Sequence, residues 1–240
     1  MKNTTENIVY GIHPILELLK AKKRKLYSIY TTKPEPKAFA AIQRLLPDYV
    51  KINYVDKNML SKMAETTDHQ SVVAKVAPFA FRGKFFDPKR SKFLIMLDGI
   101  QDPRNLGAIL RSSYCTSVDG VILIVKNGAP LNSVALKSSA GLAEHLEIYR
   151  APSVEAAVQE LRKANYNIYL STFDGENALD ANYTEPLCLV IGSEGTGISK
   201  NILNFGKRIT LPQKTSDISY NASVATGILL FIIANQNKRL

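Results

Sequence analysis

From Phe93 to the C-terminus, unbroken apolar runs alternate with segments of helical periodicity. Phe93-Leu94-Ile95-Met96-Leu97, Val121-Ile122-Leu123-Ile124-Val125 and Leu187-Cys188-Leu189-Val190-Ile191 contain no charged or hydrogen-bonding side chain other than one thiol. A strand with one wet face alternates polar and apolar residues; these runs do not, so both of their faces must be covered. Together with Asn167–Ser171 and Arg208–Leu211 they are the strands of a mostly parallel sheet. The helices that cover it are expected near Pro103–Cys115, Ser133–Glu144, Ser153–Ala164 and Ala222–Asn235. Such α/β sheets bind ligands at the carboxyl ends of their strands, which is where chemistry should be sought. The last helix is apolar all round from Ile228 to Ile233. It should be buried on every side, as a core helix or at a subunit interface.

The first third is smaller and more mixed. Ile8–Tyr10, Leu26–Thr31, Lys51–Val55 and Ser71–Val76 read as strands, with helices over His13–Lys20 and Pro36–Leu46. Residues 77–91, rich in Phe, Pro and basic side chains, have no period and read as a linker. The four phenylalanines of the linker are expected to pack on a domain, with base stacking the alternative. The organisation is therefore a small α/β domain (1–76), a linker (77–91) and a larger α/β domain (92–240).

Charge divides along the same line. Of the net +10, residues 1–91 hold 17 Lys/Arg against 8 Asp/Glu (+9), and residues 92–240 hold 14 against 13 (+1). A basic domain suits a polyanion, because neutralising phosphates releases counterions; a solvated face with no partner is the alternative reading. A membrane surface is disfavoured, since Lys22-Lys23-Arg24-Lys25 has no amphipathic apolar face beside it. The polar start Met1–Glu6 is unlike a signal peptide, and Gly227–Ala234 is too short an apolar run to span a bilayer. Cys115 and Cys188 lie far apart, and His13, His69 and His145 have no ligand spacing, so reduced thiols, a cytoplasmic location and no metal are expected.

Three segments carry candidate chemistry. In Asp98–Arg111, Asp102 caps a helix that opens on Pro103, and Arg104 and Arg111 lie seven residues apart on nearly one side, off the apolar face. They are solvated arginines unless something approaches at Gly107-Ala108. In Leu189–Ser199, three glycines and Glu194 follow a strand, yet neither a Walker loop nor a dinucleotide fingerprint is present. Glu194 would repel a phosphate and suits a cationic or donor-rich ligand, or else it caps the next helix. In Ile209–Phe231, Ser219, Asn221 and Ser223 gather hydrogen-bonding groups at a helix start.

Taken together, D-x-x-x-D-P-x-N-x-G-x-x-x-R-S, then G-S-E-G-x-G-I, then L-P followed by S-x-N-x-S-V-A resemble the SpoU-type branch of the SPOUT RNA methyltransferases. Tyr10–Ile15 and His69–Ala74 resemble that family's accessory domain, which is similar to ribosomal protein L30e. The layout is most similar to the bacterial enzymes that methylate a guanosine ribose of 23S rRNA. The resemblance implies an α/β-knot fold with a C-terminal trefoil knot, a homodimer through the last helix, and S-adenosylmethionine as cofactor. It places the cofactor against Thr172, Phe173, Asp174 and Gly175, against Ile191, Gly192, Glu194 and Gly197, and against Ile209 and Leu211. Asn221, Ala222, Ser223 and Ala225 close that pocket. Gly192 and Gly195 would let the chain pass near a ligand bearing a sulfonium rather than a phosphate.

Arg111, Asn105, Glu194, Ser219 and Asn221 are implied in catalysis. A guanidinium rarely gives up its proton, so Arg111 acts either as an unusual base or by fixing a phosphate and a developing alkoxide. Glu144 lies beside a recurrent family position and would help place RNA, or is structural. The chain departs from the family pattern at Ser71, at Tyr220 and in Gln213-Lys214-Thr215-Ser216-Asp217, which bears on loop conformation and substrate choice. The basic first domain becomes an RNA-docking module, with rRNA the first partner and tRNA the second. A noncatalytic RNA-binding assembly factor is the reading from another class, and five intact motif residues argue against it. The sequence does not choose between a guanosine and an adenosine target.

Overall fold

The structure, a computed structural model, describes residues 7–215 and 219–240. Ser216 and Asp217 of the divergent loop lie outside the described residues, as does the polar start Met1–Glu6. The chain forms two compact units, one of residues 1–80 with 131–145 and one of 81–130 with 146–240.

The first unit runs β1 (Asn7–Tyr10), α1 (Ile12–Ala21), β2 (Leu26–Thr31), α2 (Phe39–Gln43), β3 (Lys51–Tyr54), α3 (Lys57–Ala64) and β4 (Val72–Val76). Among the described residues its sheet has the order β1-β4-β2-β3, with β2 parallel to β3 and β4 antiparallel to both β1 and β2. The two segments that carry this unit's resemblance meet: Gln70 Oε1 accepts the Ile12 N–H at 3.1 Å, satisfying one of the donors exposed at the start of α1. Helix α3 was not foreseen. It offers only Leu60 and Ala64 to the core, and its signal is the Asp56 cap, whose carboxylate accepts from Met59 N at 2.7 Å.

The second unit runs β5 (Phe93–Asp98), α4 (Pro103–Cys115) and β6 (Gly120–Ile124). Before its next strand the chain supplies α5 (Ser133–Ser138) and a 3-10 turn (Leu142–His145) to the first unit. The single helix expected over Ser133–Glu144 breaks between them, where Ala140 and Gly141 take positive φ of 53° and 85°. The turn buries Glu144 against Arg24, Nη1 to Oε1 2.6 Å, with both side chains 2% exposed. Glu144 is thus a structural ion partner and presents nothing to an RNA. Two separate stretches of chain are tied into one unit by this pair and by the bonds from the Arg24 guanidinium to the Ala77 carbonyl.

The second unit resumes with β7 (Ile148–Ala151), α6 (Val154–Lys163), β8 (Asn167–Asn177), β9 (Leu187–Gly192), a 3-10 turn (Lys200–Ile202), β10 (Lys207–Thr210) and α7 (Ala222–Gln236). Its sheet, in the order β10-β8-β9-β5-β6-β7, is parallel at every described pairing. The three apolar runs fall on β5, β6 and β9, which are buried along their length except at Gly192; Val125, expected to end the second run, lies past β6 and is exposed. Strand β7 was missed, because Ile-Tyr-Arg-Ala is short and mixed. Phe85 and Phe86 of the expected linker pack into this unit's core, so they serve packing rather than base stacking.

Helix α7 departs from its expected burial. Leu229, Leu230, Ile233 and Ala234 are buried, but Val224, Ile228 and Phe231 face solvent, Phe231 at 58% exposure. At spacings of four and three they form one stripe.

Candidate active site

The site begins with a helix cap. Asp102 accepts the Arg104 N–H at 2.8 Å and starts α4, which sets Asn105 in the first turn. Asn105 Nδ2 donates to Glu194 Oε1 at 2.7 Å, and Asn221 Nδ2 donates to Asn105 Oδ1 at 3.2 Å. Asn221 is itself the cap of α7, its Oδ1 accepting from Ser223 N at 2.9 Å and from Ser223 Oγ at 2.6 Å. A directed chain Asn221→Asn105→Glu194 therefore joins three segments far apart in sequence. The acid among the glycines is held by an amide, which orients its carboxylate as an acceptor.

The loop bearing Glu194 is closed by its own hydrogen bonds. Ser193 and Gly197 exchange two backbone hydrogen bonds at 3.0 and 3.1 Å, and the Ser193 and Thr196 hydroxyls meet at 2.8 Å. Beyond it, buried Asp98 at the end of β5 accepts from Ser199 N at 2.7 Å and Ser199 Oγ at 3.1 Å. Gly192 is needed for an unforeseen reason: a Cβ there would stand 2.1 Å from the Gly197 carbonyl carbon. The close approach is of chain to chain. Gly195 has no atom within 4 Å of that position and faces open space.

A cleft of about 730 Å³ opens at the carboxyl ends of β8, β9 and β10. Thr172, Phe173 and Asp174 form one wall, and Ile191, Gly192, Glu194 and Gly197 another. Leu211, Ser219, Asn221, Ala222 and Ala225 close it. Three expected residues lie off the lining. Gly175 is pressed against β10, where a Cβ would meet Ile209 N at 2.4 Å; Ile209 is fully buried; Ser223 is committed to the α7 cap. The walls also include Lys200, Leu203 and Arg208, which sequence reading missed. Arg208 carried a signal in hindsight, since it precedes buried Ile209 on a strand and so points the other way; it pairs with Asp174 at 2.6 Å.

Pairing between β8 and β10 jumps from Arg208↔Leu170 to Ile209↔Glu176. The skipped residues, 171–175, include Thr172 to Gly175, the stretch expected to touch the cofactor. Thr172 Oγ1 is buried there, and its hydroxyl, followed by the Arg208 guanidinium, holds the Asp174 carboxyl below its ordinary range.

Arg111 stands apart. It is exposed on α4, about 9 Å along the axis from Asn105 at 1.5 Å per residue, and lies off the cleft lining. It makes no hydrogen bond or ion pair among the described residues. The structure thus brings Asn105, Glu194 and Asn221 into contact, puts Ser219 in the wall, and leaves Arg111 with its cation available. Among the described residues no cluster of His, Cys, Asp and Glu could hold a metal ion.

Comparison with known proteins adds an independent line. Residues 92–231 match the model of the SpoU rRNA Methylase family, and residues 8–82 match that for RNA 2'-O ribose methyltransferase substrate binding. The 23S rRNA (guanosine-2'-O-)-methyltransferase RlmB of Haemophilus influenzae is 30% identical over 239 residues, which is 95% of this chain and 97% of that one. A Synechocystis protein described as an uncharacterized tRNA/rRNA methyltransferase is 32% identical over 96% of this chain, which spans 62% of the relative's length. In fold, the chain is similar to the SpoU methyltransferase AviRb of Streptomyces viridochromogenes crystallised with AdoMet. That match has a TM-score of 0.82 at 22% identity, covering 97% of this chain and 91% of that one.

Proposed function

The chain belongs to the SpoU rRNA methylase family, and from that premise we propose that it methylates a ribose 2′-hydroxyl of ribosomal RNA, at a guanosine of 23S rRNA, using S-adenosylmethionine. The observation that carries this reading is the Asn221→Asn105→Glu194 chain at the cleft wall. It uses one residue from each of the three motifs, and packing alone does not require it.

The cleft fits the cofactor on its own features. The Thr172 hydroxyl and the Asp174 carboxylate give one wall polar partners, the bare backbone at Gly195 and Gly197 leaves open space, and Ile191 and Leu211 offer apolar surface. These suit a ligand with an adenosine half and an amino-acid half, which when bound supplies an electrophilic methyl group on a sulfonium. The Asn105 amide holds Glu194 in one orientation, and Asn221 holds Asn105, so the loop is set before substrate arrives. Arg111, unpaired among the described residues, offers its guanidinium to substrate. It binds the target nucleotide's phosphate and stabilises the alkoxide that develops as the 2′-hydroxyl loses its proton. Ser219 adds a hydroxyl in the cleft wall.

Three further features belong to this reading. The stripe Val224, Ile228 and Phe231 forms a homodimer interface. The chain is knotted, which the close backbone approaches at Gly175 and Gly192 support. The first domain docks RNA in the cytoplasm through a basic, aromatic surface: Tyr27 is the extra residue of a bulge in β2, between Leu26↔Val76 and Ser28↔Lys75. The bulge turns Tyr27 outward, and Lys25 Nζ lies 5.9 Å from both the Tyr27 and Tyr49 rings.

The test uses rRNA and bulk tRNA from a strain lacking this gene, incubated with the protein and methyl-labelled S-adenosylmethionine. Label is expected in 2′-O-methylguanosine of 23S rRNA; label confined to tRNA would overturn the substrate. Arg111→Ala should reduce turnover at least 100-fold, the order set by losing a transition-state charge partner, with cofactor affinity within a few-fold by calorimetry. Ordinary turnover in that variant would remove Arg111 from the chemistry.

A further inference from the structure

A second cavity, of about 350 Å³, lies beside the cleft and shares only the Ser193–Gly197 turn with it. Its walls are the ends of four strands: Gly99 and Gln101 after β5, Lys126 and Asn127 after β6, Ser153 and Glu155 after β7, and Ser193 and Thr196 after β9. Strand β5 lies between β9 and β6. The chain leaves β5 towards β6 and leaves β9 towards β10, so these loops part in opposite directions. That is the topological switch point, where parallel α/β sheets bind ligands. The cofactor cleft, at the ends of β8, β9 and β10, is therefore displaced from it, and the switch-point crevice is left for something else.

The lining limits the occupant. Asp98 on the floor is buried with both oxygens on Ser199, so the carboxylate that is exposed to a ligand is Glu155. It accepts a hydrogen bond from Asn201 and feels the charge of Lys126. The Ser153 hydroxyl, followed by the local backbone and Asn201, holds the Glu155 carboxyl below its ordinary range, so it is an acceptor at neutral pH. A phosphate would be repelled by Glu155 and a cation by Lys126. A neutral, flat group with adjacent donors and acceptors meets both. Gln101, Asn127, Ser193 and Thr196 add amide and hydroxyl partners around it.

We propose that this crevice receives the guanine base of the target nucleotide, drawn out of its helix, with Glu155 accepting from N1–H and N2–H₂ and Lys126 donating to O6. An adenine would set its N1 lone pair against the Glu155 carboxylate and lack the second donor. Enzymes that act on one nucleotide extrude it into a pocket beside the reacting atoms. With the ribose over the shared turn, the base on one side and the cofactor on the other, Glu155 and Lys126 are specificity residues rather than catalytic ones. This inference rests on the methyltransferase reading above.

The experiment takes an RNA fragment containing the nucleotide that the wild-type protein labels, made with guanosine or with inosine at that position. Inosine keeps O6 and N1–H and lacks the N2 amino group. Wild type should prefer guanosine by about tenfold in kcat/KM, in line with one bidentate base contact. Glu155→Ala should lose about tenfold on guanosine and treat the two RNAs alike, while thermal midpoint and S-adenosylmethionine affinity by calorimetry stay at wild-type values. Lys126→Ala should weaken both RNAs and keep the guanosine preference. A Glu155→Ala protein that retains the full preference for guanosine over inosine overturns the pocket alone. Wild-type label found on adenosine overturns the base assignment. Absence of transfer to any RNA overturns the reaction itself, and the occupant with it.

Discussion

At Gly192 one added methyl group has a calculable consequence. Its Cβ would fall 2.1 Å from the Gly197 carbonyl carbon and 2.3 Å from Ile198 N, both backbone atoms that no side-chain rotation can move. Gly192→Ala should cost about 1–3 kcal/mol as overpacking and weaken the cofactor at least tenfold, read by thermal melting and calorimetry. Gly195→Ala, with no atom within 4 Å, should leave stability near wild type; equal damage at both would sink the argument. Sequence reading marked this glycine for its approach to a ligand, and Gly192 does line the cleft; what it could not see is the second pass of chain against which Gly192 also lies. Glu144 was read as structural or as an RNA contact, and sequence could not decide between them, since nothing local announces that Arg24 is its partner 120 residues away. A second residue gives a pH dependence. His69 is buried, its Nδ1 accepting from Ser71 N at 3.0 Å and its Nε2 meeting Ser61 Oγ at 3.1 Å. Burial, then the cations Lys57 and Lys137, lower its pKa from the ordinary 6.5, with Asp68 opposing. The unfolded chain therefore binds the proton more readily. The stability His69 contributes is full above 6.5 and is lost as pH falls through its lower folded value. The urea midpoint should drop between pH 7.5 and pH 5, and by less in His69→Gln; an identical drop would assign the effect elsewhere.

At the level of elements, legibility followed how much each segment depends on its own residues. Helix α4 is bounded by Asp102, Pro103 and its apolar spacing, and it spans the expected Pro103–Cys115. The strands β5, β6 and β9 declared themselves by burial on both faces. What failed was decided by partners: β7 exists because β6 offers an edge, and the segment after α5 turns at Ala140 and Gly141. Helix α7, expected in a core or at a subunit interface, was legible in part. All-round hydrophobicity was read as burial on every side, yet within one chain only the α4-facing side and its flanks are covered, leaving Val224, Ile228 and Phe231 exposed. If that stripe is a homodimer seam, Phe231→Asp should convert a dimer to a monomer in sedimentation at micromolar protein while keeping the wild-type circular dichroism spectrum and most of the thermal midpoint. Leu230→Asp, one residue away and fully buried, should instead unfold the unit. A monomeric wild type, or a Phe231→Asp dimer, would remove α7 from the interface.

At the level of the whole molecule, charge is unevenly distributed along the chain, +9 over residues 1–91 and +1 over the remainder. If the basic part meets the RNA backbone, log affinity should fall linearly with log salt, by about 0.7–0.9 for each phosphate neutralised. Lys25 and Tyr27 separate the two contributions to that affinity. Lys25→Ala removes one cation, so the slope should shrink by about one, with affinity converging on wild type at high salt. Tyr27→Ala removes a stacking face with no charge, so affinity should drop by about 1–3 kcal/mol at every salt concentration and leave the slope unchanged. Lys238, in the nearly neutral part, serves as the control and should alter neither. The readout is fluorescence anisotropy with the labelled rRNA fragment over 50–300 mM salt, in the presence of S-adenosylhomocysteine so that binding is measured without turnover. A slope unmoved by Lys25→Ala would mean that the phosphates are met elsewhere. A Tyr27→Ala line that merges with wild type would mean that the bulge in β2 presents its ring to solvent alone.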